Sequence, residues 1–354
     1  MPVKEIAREL QGKAANLALR MPIAWVNILA GPPVAVDGRT LDGRTQWLLQ
    51  LLARSGQTPI EKTSVAEARA GYDAFMLEMG GRPAPIGEIV DRTIEGPAGR
   101  LRVRTYRPAG TVARLLPAIL YFHGGGFRLG SVASHRDLIA QIALASGCRV
   151  LAVNYRLAPE HRFPAALDDA LAAYGWMLGQ GLEPGNLAFA GDSAGGNLAL
   201  AAMLALRERR LPLPVSVALM SPWTDLAATG ASYVSRAEAD PIHQRSMILA
   251  LARNYLDGEG DPCDPLVSPL YADLGGLPPL LIQVGDRETV LDDSVMFADK
   301  ARVAGVDVEL EIWDGMIHVF QMFGAELPEA HQAIASIARF LDRHLHIKAE
   351  RASS

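Results

Sequence analysis

Residues 186–208 read NLAFAGDSAGGNLALAAMLALRE, and the five at the junction are Gly191-Asp192-Ser193-Ala194-Gly195. The first six form a short apolar run of the kind found in strands buried on both faces. From residue 194 onward the apolar residues follow a helical pattern. Between the two, Gly-x-Ser-x-Gly closes a sharp strand-to-helix turn. Its small neighbours let the backbone fold up, and the serine hydroxyl stands clear. A chain of this length holds the bare five-residue pattern by chance about one time in ten. The strand before it and the helix after it make chance a several-fold poorer account. Ser193 is therefore a candidate nucleophile, and the free N–H groups at the start of the helix point at whatever it attacks.

Outward from this junction the same rhythm repeats. Apolar runs AILYF at 118–122, RVLAVNY at 149–155, VSVALM at 215–220 and LLIQVG at 280–285 read as strands, and LRVRTY at 101–106 and VDVELEIW at 306–313 alternate. Helical patterns lie between them at 134–146, 164–178 and 290–304, and a closing helix at 328–345. Strands that alternate with helices imply crossover connections and a mostly parallel central sheet flanked by helices, an α/β fold. Residues 223–278 break the rhythm with loops and one helix near 244–256, an insertion placed to cover a site. The first 80 residues differ again and read as helices at 3–19, 40–53 and 64–78. The expected division is a helical N-terminal cap over 1–82, joined by part of 223–278, and a catalytic domain over 83–354.

The 354 residues carry a formal charge of −5, with 49% hydrophobic and 21% charged residues. That balance describes a globular chain with a sizeable core and gives no electrostatic footprint for nucleic acid. Cys148 adjoins an apolar run and Cys263 lies in a loop, so neither a disulfide framework nor a metal site is expected. The apolar stretch at 21–36 is broken by Pro22, Asn27, Gly31 and Pro32-Pro33, too often to span a bilayer. Scattered charges over 4–20 make a poor signal peptide, and a cytoplasmic location is the expectation.

His123-Gly124-Gly125-Gly126-Phe127 follows the strand AILYF, about 70 residues before Ser193. A glycine run there lets backbone N–H groups reach a ligand unobstructed. Gly125 and Gly126, with Ala194 after the serine, are the expected donors to an oxyanion, and Gly124 sets the turn. His123 is expected to orient the loop.

The set HGGGF, YRLAPEHRFPAALDD at 155–169 and GDSAGG resembles the hormone-sensitive-lipase-like branch of the α/β-hydrolases, the bacterial esterase group. The likeness covers about residues 85–345, and DPLVSPLYADL at 264–274 adds to it. The resemblance implies a carboxylesterase with a serine–histidine–acid triad and no cofactor or metal. It also implies short- to medium-chain acyl esters as substrates and a possible homodimer. It carries Arg156, Glu160 and Asp168 over as structural residues.

Triad order in this fold is serine, acid, histidine, which restricts the base to late histidines. His331, His344 and His346 fall on or near the closing helix, and His243 lies in the insertion before any acid candidate. His318, in the loop after the last strand, is the expected base. The acid belongs to the loop Gly285-Asp286-Arg287-Glu288-Thr289-Val290-Leu291-Asp292-Asp293. Aligning Leu291-Asp292-Asp293 with the family's x-Asp-Glu puts Glu288 at the catalytic position, where the family more often has Asp. Asp292 is the alternative. Asp292 and Asp293 also suit the first turn of the next helix, and Asp286 suits a turn. Three rival readings stay open. One is another serine-hydrolase reaction (amidase, peptidase, thioesterase or lactonase), one a non-catalytic receptor on this fold, and one a membrane-associated lipid hydrolase.

Overall fold

Runs such as AILYF carry no group that prefers water, and a five-residue strand can hide such a run only inside a sheet covered on both faces. A computed structural model describes residues 21–36, 39–55, 64–79, 84–111, 116–258, 260–323 and 327–345. The helix expected at 3–19 lies outside the described residues.

The strands are β1 (Ala35–Val36), β2 (Arg39–Thr40), β3 (Glu88–Gly96), β4 (Gly99–Arg107), β5 (Ala118–Phe122), β6 (Arg149–Val153), β7 (Leu187–Asp192), β8 (Ser216–Met220), β9 (Leu280–Gly285) and β10 (Val308–Trp313). β1 and β2 form a separate small hairpin, and the others make an eight-stranded sheet in the order β10-β9-β8-β7-β5-β6-β4-β3. β5 to β10 run parallel, whereas β4 pairs antiparallel with β6 and β3 with β4. Every residue of β5, β7, β8 and β9 is buried. The strand β3 was not anticipated. Its sequence EIVDRTIEG mixes polar and apolar residues because it is the outer strand of a hairpin, with most positions in contact with water.

The helices are α1 (Ile23–Ala30), α2 (Gly43–Ser55), α3 (Val65–Met79), α4 (Arg136–Ser146), α5 (Ala165–Gly179), α6 (Ala194–Glu208), α7 (Ser232–Ser235), α8 (Arg245–Leu256), α9 (Leu291–Val303) and α10 (Pro328–His344). α5, α6 and α9 pack their apolar residues into one core cluster with Leu120, Phe189, Leu219 and Ile282 of the sheet. α4 and α10 pack on the other face, against Ile119, Tyr121, Ala190 and Leu281. The alternation of these strand residues between two clusters is the period-2 geometry of a strand. Cys148 is buried in the second cluster and Cys263 is exposed, both as free thiols. No helix among the described residues is long and apolar enough to cross a membrane.

The insertion and the N-terminal helices meet over one end of the sheet. Leu48 of α2 lies in a buried cluster with Met316, Ile317 and Phe320, and Phe75 of α3 and Ile242 of the insertion pack against it. The loop that carries His318 is thus roofed by side chains from three separate parts of the chain.

Candidate active site

The parallel strands end at one edge of the sheet, and there the loops after β5, β7, β8, β9 and β10 converge. Ser193 sits between β7 and α6 at φ 52° and ψ −120°, a conformation that a non-glycine residue keeps only when its surroundings hold it. Its N–H donates to Met220 O at 2.9 Å, and its carbonyl accepts from Asn197 and Trp223, both at 3.1 Å. Small residues are required here by contact: a Cβ on Gly195 would lie 2.0 Å from Phe122 O. Asp192, beside it, is buried and accepts from Tyr121 Oη at 2.6 Å, with His135 Nε2 at 3.2 Å from its other oxygen. Burial pushes that carboxyl up, but His135, Tyr121 and His123 outweigh it and hold it below the ordinary range.

The glycine loop follows β5. Gly125 has φ 112° and Gly126 has φ 61°, and the Gly125 carbonyl turns back to accept from Arg128 and Leu129 at 3.1 and 2.8 Å. Among the described residues no acceptor takes the N–H of Gly125, Gly126 or Ala194. His123 Nδ1 lies 2.8 Å from Gly124 O, its ring stacks on Tyr155 at 4.3 Å, and burial beside His135 lowers it to about 3. A carbonyl can only accept, so the neutral His123 donates through Nδ1 and braces the loop. α8 closes over this loop: Phe127 stacks on Tyr255 at 3.9 Å, and the Leu251 side chain stands where a Cβ on Gly126 would point.

Glu288 and His318 meet between the loops after β9 and β10. Glu288 Oε2 lies 2.7 Å from His318 Nδ1, and Glu288 is fully buried. Its other oxygen accepts from Ser221 Oγ at 2.7 Å and from Gly285 N–H at 2.5 Å. The carboxylate accepts a hydrogen bond from Nδ1–H and so leaves Nε2 with a lone pair. His318 Nε2 is buried and has no hydrogen-bond partner among the described residues, Ser193 included. Burial lowers the imidazole, yet Glu288, Asp240 and Asp192 more than offset it, so His318 lies above its ordinary value.

The rival acids are occupied elsewhere. Asp292 caps Ser232 N–H at 2.9 Å. Asp293 accepts from Thr224 and Asp225 N–H, both at 2.9 Å, and its burial and the Asp225 charge push it well above the carboxylate range. Asp286 holds Gly315 N–H at 2.7 Å.

Residues 119–322 match a protein family described by the alpha/beta hydrolase fold. An acetyl-hydrolase from Streptomyces hygroscopicus is 42% identical over 78% of this chain and 89% of its own. The carboxylic ester hydrolase LipN of Mycobacterium tuberculosis is 32% identical over 95% of this chain and 94% of its own. The crystal structure of an esterase from the bacterial hormone-sensitive lipase family superimposes with a TM-score of 0.79 at 40% identity, covering 85% of this chain and 98% of that one. The chain belongs to the hormone-sensitive-lipase-like esterases.

Several residues that serve this esterase's site escaped the sequence reading. Ser221 follows a predicted strand but carries no motif of its own, although it bridges Glu288 and Val319 N–H. Asp240 accepts from His243 N–H with one oxygen and from Thr289 with the other, and so ties the insertion to the acid's loop. That brings the His243 ring edge-to-face with His318 at 4.2 Å. The brace of Arg156 is Asp169, at 3.0 Å, with Asp168 one position away on the first turn of α5. The position buried against β6 and its loop is 169, and helical spacing turns 168 off that face. Glu160 does brace the esterase, by a bidentate pair with Arg69 of α3.

Proposed function

We propose that this carboxylesterase works through Ser193 as nucleophile, His318 as general base and Glu288 as the acid that orients it. The observation that carries this reading is the 2.7 Å contact between Glu288 Oε2 and His318 Nδ1. It fixes the tautomer whose Nε2 can take a proton, and Glu288 favours the imidazolium that results. Ser193 supplies a hydroxyl on a strained turn at the mouth of β7. The bond from that hydroxyl to Nε2 forms as substrate enters, since such contacts are commonly loose without substrate and tighten in the complex.

His318 takes the Ser193 proton as Oγ attacks the ester carbonyl. The N–H groups of Gly125, Gly126 and Ala194 receive the oxyanion. His318 returns the proton to the departing alcohol, then draws one from water, which cleaves the acyl-enzyme to acid and free serine. The residues supply the whole cycle. Short- to medium-chain acyl esters fit a site roofed by Leu251, Phe127 and Tyr255, and the acetyl-hydrolase relative points the same way. The N-terminal helices over the His318 loop act as the cap.

The test is p-nitrophenyl ester hydrolysis over a series of acyl lengths, beside Ser193→Ala. Activity that peaks at a short or medium chain and vanishes in the variant supports the assignment. Equal release by both proteins removes Ser193 from the role, and amide or thioester cleavage without ester cleavage would replace the substrate class.

A further inference from the structure

A cavity of about 260 Å³ opens at the far end of the sheet, lined by Arg92, Thr105, Arg149, Leu151, Trp176 and Gln180 among others. Arg149 pairs with Ala118 of β5, which pairs in turn with Leu187 of β7, so it stands in the row that begins β7. Ser193 lies six residues further along, roughly 20 Å at the usual strand rise. The cavity is therefore separate from the esterase site.

Its residues occupy positions that elsewhere on this face are core. On β3, Arg92 alternates with the buried Ile94, and on β6, Arg149 alternates with the buried Leu151 and Val153. The C-terminal turn of α5, with Trp176, forms the opposite wall. Neighbouring carboxylates are already used: Glu88 pairs with Arg107 at 2.7 Å and Asp91 with Arg104 at 2.5 Å. Among the described residues nothing accepts a hydrogen bond from the guanidinium of Arg92 or Arg149. Burial, then the charges of Arg92 and Arg107, push Arg149 below the ordinary arginine value. A partly buried cation in cationic company gains most from an anion placed against it. A planar guanidinium matches a carboxylate in a two-point contact.

We propose that this cavity is a second ligand site, for a small carboxylate that carries an apolar body. The two arginines take the carboxylate, and Leu151 and Trp176 cover the body. The apolar walls favour such an acid over a bare inorganic anion, which would leave them in water. The choice of acid leans on the esterase reading, since ester hydrolysis releases this class of compound.

The probes are octanoate and inorganic phosphate, titrated by calorimetry and by tryptophan fluorescence. Octanoate is expected to bind the intact protein and to change its fluorescence. Arg149→Met weakens that binding at least tenfold while p-nitrophenyl butyrate hydrolysis stays within twofold. Trp176→Phe removes the fluorescence change and keeps calorimetric binding. Arg92→Met gives the same weakening by an exposed substitution, which guards against a folding defect at Arg149. Octanoate affinity unchanged in both arginine variants overturns the site, and phosphate binding as tightly as octanoate overturns the apolar body. The same titration on Ser193→Ala separates the two readings, because binding there depends on the arginines and not on the nucleophile.

Discussion

The hydroxyl of Ser221 donates to Glu288 Oε1 at 2.7 Å and accepts the N–H of Val319 at 3.1 Å. One side chain just past the end of β8 thus fastens the Glu288 loop to the residue beside His318. Glu288 reaches His318 through Oε2, so the oxygen that Ser221 holds is the one that does not touch the imidazole. Ser221 fixes where the carboxylate points without meeting the substrate. In the proposed triad it is a positioning residue.

Ser221→Ala removes one of the two donors to Glu288 Oε1, leaving Gly285 N–H in place, and strands the buried N–H of Val319. Such an unsatisfied group costs about 1–3 kcal/mol, so the denaturation midpoint falls. On an ester substrate kcat drops about 10–100-fold, in line with losses seen when outer supports of a site are removed, while KM changes little. Steady-state kinetics on Ser221→Ala and Ser221→Thr read this out. Recovery by threonine is expected, and a KM effect without a kcat effect would assign Ser221 to the substrate pocket.

Glu288→Gln keeps the shape of the side chain but no longer enforces the Nδ1–H tautomer. The expected loss in kcat is about 10³–10⁴-fold, by analogy with the loss for an asparagine in the acid position of another triad. Asp292→Asn leaves kcat within tenfold, because Asp292 caps the N–H of Ser232 and does not contact His318. A larger loss in Asp292→Asn than in Glu288→Gln would reverse the assignment.

This contrast also shows what the sequence could and could not disclose. The buried strands were legible because their apolar runs have one explanation, and β5, β7, β8 and β9 fall where expected. β3 was missed because an outer strand obeys its partner β4 more than its own pattern. Turn chemistry and chain order point to Ser193 and His318 as the proposed nucleophile and base. Glu288 came from alignment with a family pattern, Ser221 and Asp240 did not emerge at all, and His243 was weighed only as a base and set aside. They act through contacts 98, 49 and 75 residues away along the chain, to Val319, Thr289 and His318. No local spacing encodes a contact of that separation.

The pH profile follows from the charge around His318. The base works only when neutral. Burial lowers its value, and Glu288, Asp240 and Asp192 together raise it above the ordinary histidine value of about 6.5. Activity is therefore expected to climb through a midpoint above about 6.5 and to level off in mild alkali. Neutralising the nearest carboxylate in Glu288→Gln removes the largest upward contribution, and the midpoint of the residual activity moves to lower pH. A profile of kcat/KM over pH 5–9 (roughly the span in which histidine titrates) checks the sign in both proteins.

The glycine loop separates two kinds of constraint. A Cβ on Gly125 would lie 2.3 Å from the backbone oxygen of Leu129, and φ is +112°, so neither the neighbour nor the torsion can give. A Cβ on Gly126 would meet the flexible end of Leu251 at 2.7 Å, at φ +61°, where an L-residue costs about 1–2 kcal/mol. Gly125→Ala should therefore tilt the oxyanion donors and lower kcat by about 10²–10³-fold, the range found on losing one such donor. Gly126→Ala should cost less than tenfold in kcat, since the Leu251 side chain can rotate while the N–H stays in place. The comparison of kcat on p-nitrophenyl butyrate, with a urea midpoint for each variant, tests the order. A greater loss in Gly126→Ala would mean that contact with α8, more than backbone torsion, sets the loop.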